Sequence, residues 1–175
     1  LNVNANATVD SVQETATSNG GVIAIGTGAT LTIDGVNKGT FFQNNISGAG
    51  NLRMAGSGTT SLGLYGTQDY TGTTTVSNGT LSTGVALSTS GLILDGGVFE
   101  TTGANIISSS SSVTINGGEF KFGNDSTDTD VVGVLAGTGG KLTLNAQMTT
   151  TSNTDSSYAG NISGSQGMVK QGTGI

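Results

Sequence analysis

The chain has 175 residues, of which 31 are Gly, 29 Thr, 20 Ser and 15 Asn, and only 9% are charged. It contains no His and no Cys, which excludes Ser-His-Asp and Cys-His catalysis, imidazole metal sites and thiol chemistry. Five basic residues set against eleven acidic ones, for a net charge of -6, exclude a cationic track for nucleic acid or an anionic lipid surface.

No stretch approaches the ~18 consecutive apolar residues of a membrane helix, and Leu1 runs directly into Asn/Thr-rich sequence without a basic and apolar leader. Neither direct membrane insertion nor an export signal within these residues is expected. Low net charge combined with many Leu, Ile, Val and Phe argues for an ordered chain. Thr, Val and Ile suit pleated strands, and strong helix formers are scarce, so the class is all-β.

In chain order, seven short alternating segments read as strands: Leu31-Thr32-Ile33, Leu52-Arg53-Met54, Leu62-Gly63-Leu64, Leu92-Ile93-Leu94, Val113-Thr114-Ile115, Phe120-Lys121-Phe122 and Leu142-Thr143-Leu144. Each sends two apolar side chains to one face and its middle residue to the other. Asp34-Gly35, Asn78-Gly79, Asp95-Gly96-Gly97 and Asn116-Gly117-Gly118 read as corners, because these residues tolerate left-handed backbone. The same pairs suit two-residue hairpins, so spacing has to decide.

Val76, Leu94 and Ile115 are taken as equivalent core positions, 18 and 21 residues apart, and Ile115 to Leu144 as the next step with a longer loop. Such spacing fits one coil of a β-solenoid, and predicts roughly eight coils and a rod of about 35–40 Å at the usual strand separation. An antiparallel sandwich is the alternative. Residues 108–112, 124–130 and 149–157 read as surface loops or widened corners. No domain boundary is visible, so residues 1–175 form a single β-helical unit.

A segment from Ile46 to Gly58, beginning Ile46-Ser47-Gly48, recurs without a gap from Ile162 to Gly174, 116 positions later. The second occurrence breaks off at Ile175, which leads us to expect a piece of a longer, stacked protein. The stretch 46–81 carries Ile46, Gly48, Gly50, Leu52, Gly56, Gly58, Tyr70, Gly72, Val76, Gly79 and Leu81. In order and spacing it resembles the passenger-associated transport repeat of bacterial autotransporter (type V secretion) passenger domains, with Arg53-Met54 as a departure; residues 162–175 resemble a truncated second copy.

This resemblance implies a right-handed parallel β-helix, secreted to or released from the surface of a Gram-negative bacterium, with its outer-membrane translocator barrel outside these residues. It implies a non-catalytic binding module, adhering to a host cell-surface or matrix molecule or self-associating. A released effector or toxin engaging a host receptor, and a structural stalk that assists secretion and folding, are the alternatives. No cofactor is implied.

Carboxylate-based glycosidase or lyase chemistry remains open in principle, with Asp95 and Glu119, or Glu100 and Glu119, as possible neighbours. There is no Trp to stack on sugar, and solvated positions are the simpler account. Asp125, Asp128 and Asp130 are the only dense acidic run and a weak candidate for a hard cation, although their spacing matches no calcium loop. Tyr65, Tyr70, Phe41 and Phe42 are either a ligand-stacking platform or, more simply, core and cap. Residues 124–130 and 149–157 are the candidate binding loops.

Overall fold

The computed structural model describes residues 1–13, 20–124 and 126–175. Its strands wind in about eight turns. The first turn holds β1 (Asn2–Val3) and β2 (Ala7–Val9), the second β3 (Val22–Ile25), β4 (Thr30–Ile33) and β5 (Gly39–Phe42), the third β6 (Asn45–Gly48), β7 (Asn51–Met54) and β8 (Ser61–Leu64). The fourth holds β9 (Thr73–Val76) and β10 (Thr80–Thr83), the fifth β11 (Gly91–Leu94) and β12 (Val98–Thr101), the sixth β13 (Ser112–Ile115) and β14 (Glu119–Phe122). The seventh holds β15 (Thr129–Val132), β16 (Val134–Ala136) and β17 (Lys141–Leu144), the eighth β18 (Gln147–Thr150) and β19 (Asn161–Gly164), and β20 (Met168–Lys170) starts another.

All strand pairs are parallel, each joining a strand to its counterpart one turn away. That excludes the antiparallel sandwich and makes the fold a parallel β-solenoid. Face two is the sheet β2-β4-β7-β9-β11-β13-β16 and face three is β5-β8-β10-β12-β14-β17-β19. Face one is broken: β1-β3-β6 continues as single bridging residues at Gln68, Leu87 and Ile107, and β15-β18-β20 follows.

All seven sequence-derived segments lie in strands, and alternation explains their register. Leu31, Leu52, Leu92 and Val113 stack in one inward row of face two, and Val76, Leu94 and Ile115 in the next. On face three the inward row runs Leu62, Leu81, Phe99, Phe120 and Leu142. These side chains are buried, and each contributes roughly 1.5–3 kcal/mol of transfer free energy.

Ile115 and Leu144 are not equivalent. Val113 and Thr114 pair with Leu135 and Ala136, so Ile115 is followed in its row by Gly137, 22 residues on, whereas Leu144 stacks on Phe122 of face three. A glycine in a core row leaves no apolar mark in the sequence. Gly137 is required there, since a Cβ would meet the Ile115 carbonyl oxygen. Nor are the three supposed loops wholly loops: Ser112 opens β13, Thr129 and Asp130 lie in β15, and Thr149 and Thr150 lie in β18. Residues after β18 are then covered by the last described residues, with Thr173 N–H on Asn153 Oδ1 at 3.1 Å and Ile175 N–H on Asp155 Oδ1 at 2.9 Å.

The corner between faces two and three is a column of glycines: Gly79, Gly97, Gly118 and Gly140, at φ 72°, 65°, 68° and 72°. In this column it is the glycine, not the Asn or Asp before it, that enters the left-handed region, whereas past Asp34-Gly35 the left-handed residue is Asn37, at φ 51°. Each carbonyl in the column then accepts from the strand above, as Val98 N–H does on Gly79 at 2.8 Å and Glu119 N–H on Gly97 at 2.9 Å.

Side-chain amides take over where the backbone ladder lapses. Asn51 Oδ1 accepts from Thr73 N–H at 2.8 Å, Asn6 Oδ1 from Thr30 N–H at 3.0 Å and Asn37 Oδ1 from Thr59 N–H at 2.9 Å. These bonds satisfy donors one turn up that would otherwise lack a partner, which accounts for much of the Asn content.

Candidate functional site

The motif residues of 46–81 divide into two structural roles. Ile46, Leu52, Tyr70, Val76 and Leu81 are fully or almost fully buried in the core. Gly48, Gly50, Gly56 and Gly72 sit where successive turns touch: a Cβ would strike the backbone of Ile25, Gly26, Gly35 and Gly50 respectively. Gly58 and Gly79 hold left-handed corners at φ 65° and 72°. The Tyr70 hydroxyl and Thr74 Oγ1 share a buried hydrogen bond of 2.7 Å, and burial pushes the phenol well above its ordinary pKa. These motif residues therefore build turns, and the outward side chains between them, Arg53 and Thr75 among them, are the ones left to face solvent.

The two occurrences of the repeat are alike locally but out of phase. Ile46-Ser47-Gly48 lies in β6 on face one, whereas Ile162-Ser163-Gly164 lies in β19 on face three. The corner that follows is the same in both: Gly50 N–H donates to the Ile25 carbonyl at 2.9 Å and Gln166 N–H to the Leu144 carbonyl at 3.1 Å.

Of the acidic run, Asp128 and Asp130 are among the described residues, and they turn to different partners. Asp125 lies outside the described residues. Asp128 Oδ2 accepts from Asn124 N–H at 2.9 Å, closing its own loop. Asp130 is only 2% exposed and turned inward, with Ile107 N–H on Oδ2 at 2.7 Å and Val131 N–H on Oδ1 at 2.8 Å. Its carboxylate serves two backbone donors where face one lapses between Ile107 and β15. Among the described residues no group of three His, Cys, Asp or Glu side chains is placed to share a metal ion.

Burial raises the Asp130 pKa, while hydrogen bonds from Thr143 and Lys141 lower that of Glu119. These two groups pull the pH profile in opposite directions. With its folded pKa raised, Asp130 costs stability above that value, and the cost fades as pH falls towards the unfolded carboxylate range. Glu119 contributes stability above the unfolded value and loses it as pH falls through the folded one. Asp130→Ala should cost about 1–3 kcal/mol by orphaning a buried N–H. In denaturant titrations across pH 7 to 4, the wild-type advantage over Asp130→Ala should widen on acidification, and that over Glu119→Gln should shrink.

Of the carboxylate pairs, Asp95 and Glu119 are separated by the corner between faces two and three. Asp95 Oδ1 accepts from Asn116 Nδ2 at 3.0 Å; Glu119 Oε1 pairs with Lys141 Nζ at 2.9 Å and accepts from Thr143 Oγ1 at 2.6 Å. Glu100 shares the outer side of face three with Glu119, but its register partner is Lys121. Both thus stand beside cations, on a sheet face. The aromatic group also divides: Tyr70 and Phe42 are core, whereas Phe41 and Tyr65, 68% and 51% exposed, flank Gly63 with ring centroids 5.7 Å apart and planes at 57°.

The outer side of face two forms an open groove of about 570 Å³ running over β2, β4, β7 and β9. Thr8, Thr32, Arg53 and Thr75 form its central row in strict register, with Asn51 and Thr73 beside it. Ser77 and Asp95 close one end. Arg53 Nε donates to Ser77 Oγ at 3.1 Å. Sequence reading points to Thr/Asn/Ser-rich faces as contact surfaces without locating this one; its members include the middle residues of the alternating segments, Thr32 and Arg53 among them, and bringing them together needed the phase between turns.

The chain matches no family model, no curated protein and no solved structure.

Proposed function

We propose that this solenoid is a non-catalytic binding module that attaches to its partner through the flat polar outer side of face two, as an adhesive or self-associating surface. The observation that carries this reading is the registered row Thr8-Thr32-Arg53-Thr75 in an open groove, hydroxyls and a guanidinium repeated at about 4.8 Å per turn. Such a surface offers many weak hydrogen bonds instead of one enclosed pocket, which suits avid attachment to an extended partner.

The resemblance of residues 46–81 to autotransporter passenger repeats supports display outside a Gram-negative cell, and a host surface molecule or a second copy as that partner. Parallel stacking supports folding coil by coil without an energy source, as secretion across an outer membrane would require. Fold by itself does not assign function.

The test is attachment of protein-coated beads to one another and to host-cell matrix. Thr32→Glu/Thr75→Glu should reduce it by about tenfold, and Ser82→Glu, which lies outward on face three, should leave it unchanged. Equal effects of the two substitutions would overturn the reading.

A further inference from the structure

Over β2, β4, β7 and β9 the outward row of face two is threonine but for one cation in its middle, and beyond Thr75 the row passes to Ile93 of β11. Arg53 stands opposite Thr32 on one side and Thr75 on the other. Among the described residues its nearest neighbours supply no ion pair: Lys38 is bridged to Asp10 at 3.3 Å and Lys141 to Glu119 at 2.9 Å, and Arg53 has no carboxylate within that reach. Its one hydrogen bond, Nε to Ser77 Oγ, fixes the plane of the guanidinium and leaves the two terminal nitrogens for a second acceptor. Two parallel N–H donors in a fixed fork match a carboxylate.

The rest of the lining says what that carboxylate is attached to. Around Arg53 the groove presents Thr32, Asn51, Thr73 and Thr75, hydroxyl and amide groups, while Leu52, the aliphatic member of the lining, is turned into the core and leaves no recess for the side chains of a peptide. Asn51 is already committed, its Oδ1 to Thr73 and its Nδ2 to Thr30 Oγ1 at 3.5 Å, so the Thr32 and Thr75 hydroxyls are the groups left to meet a polyhydroxylated molecule. Asp95 at the end of the groove opposes a second negative charge there, which disfavours a densely sulfated chain. From β2 to β9 the groove crosses four strands, roughly 14 Å at the usual spacing, the length of a short oligosaccharide.

We propose that the groove binds a glycan carrying isolated carboxylates, a uronic or sialic acid residue, with Arg53 forked onto the carboxylate and Thr32 and Thr75 on ring hydroxyls. This deepens the reading of face two as the attachment surface and rests on it.

The experiment is calorimetric titration of the folded chain with tetragalacturonate, its fully methyl-esterified form, 3′-sialyllactose and a heparin tetrasaccharide. Binding of tetragalacturonate or 3′-sialyllactose at least about tenfold tighter than of the methyl ester, lost in Arg53→Gln and not restored in Arg53→Lys, is the expected result. Which of the two acids binds tells the uronic from the sialic source. Equal binding of acid and ester, no binding of either acid, tighter binding of heparin, or an Arg53→Gln variant that binds as wild type would each overturn the proposal. If that happens while Thr32→Glu/Thr75→Glu still abolishes bead attachment, face two remains the attachment surface and only the acidic glycan is wrong; if bead attachment is also indifferent, both fall.

Discussion

Phe120→Ala should be the most damaging truncation in the chain, costing about 3–5 kcal/mol of unfolding free energy. Phe120 is fully buried in the inward row of face three, and its ring meets Phe99 at 5.3 Å edge-on and Phe122 at 5.9 Å with planes at 84°. Removing it leaves a cavity with aromatic walls on two sides, and edge-to-face pairs contribute about 0.5–1.5 kcal/mol each beyond area burial. The neighbours cannot collapse inward, because each belongs to a turn held by its own parallel ladder. Urea unfolding followed by far-ultraviolet circular dichroism checks this. Phe41→Ala, exposed on the outer side of the same sheet, should shift the midpoint by no more than about 1 kcal/mol equivalent; similar losses for both would mean that the core is not where the side chains place it.

Gly97→Ala should rival it, at about 3 kcal/mol or more, for a different reason. The position needs φ 65°, and a Cβ there would lie 2.6 Å from the Gly79 carbonyl oxygen. That oxygen is the acceptor for Val98 N–H, so relieving the clash breaks the ladder between β10 and β12. Gly28→Ala is the informative control. Gly28 has a comparable φ of 76° but nothing within 4 Å of the added carbon, so only the conformational penalty of roughly 1–2 kcal/mol remains. The difference between the two substitutions isolates the contact between turns from the backbone preference, and both are read from thermal and urea midpoints.

These two residues also show what sequence alone could reveal. Phe120 announces itself, because Phe120-Lys121-Phe122 alternates and is bounded by Gly117-Gly118; the fold class and the seven core strands were legible for that reason. Gly97 was legible as a corner but not as a member of a column, since vertical alignment depends on the number of residues in every turn. The Ile115–Leu144 equivalence failed on the same ground: Gly137 occupies the row without a side chain, and the pattern was carried to the next visible Leu-Thr-Leu.

The candidate site was less legible than the fold. Asp130 looked like a loop acid because it sits in a run of Asp, Ser and Thr; only the lapse of face one between Ile107 and β15 turns it into an internal acceptor. Arg53 was legible as the outward middle residue of a strand and as a departure from a repeat pattern, but not as part of a site. Its neighbours Thr32 and Thr75 are 21 and 22 residues away in the chain, beyond any local motif.

The one-face offset between the two occurrences of Ile-Ser-Gly has a consequence for how such molecules change over time. A strand with its corner fits more than one side of the prism, because the same N–H-to-carbonyl closure at Gly50 and Gln166 serves two different edges. Gain or loss of one such unit would therefore not tear the stack. It would rotate everything downstream by a third of a turn about the long axis, carrying polar faces and any ligand groove to a new compass bearing while the interior repacks with equivalent residues. Length and orientation become separable quantities in this architecture, each adjustable by whole units of about seven residues.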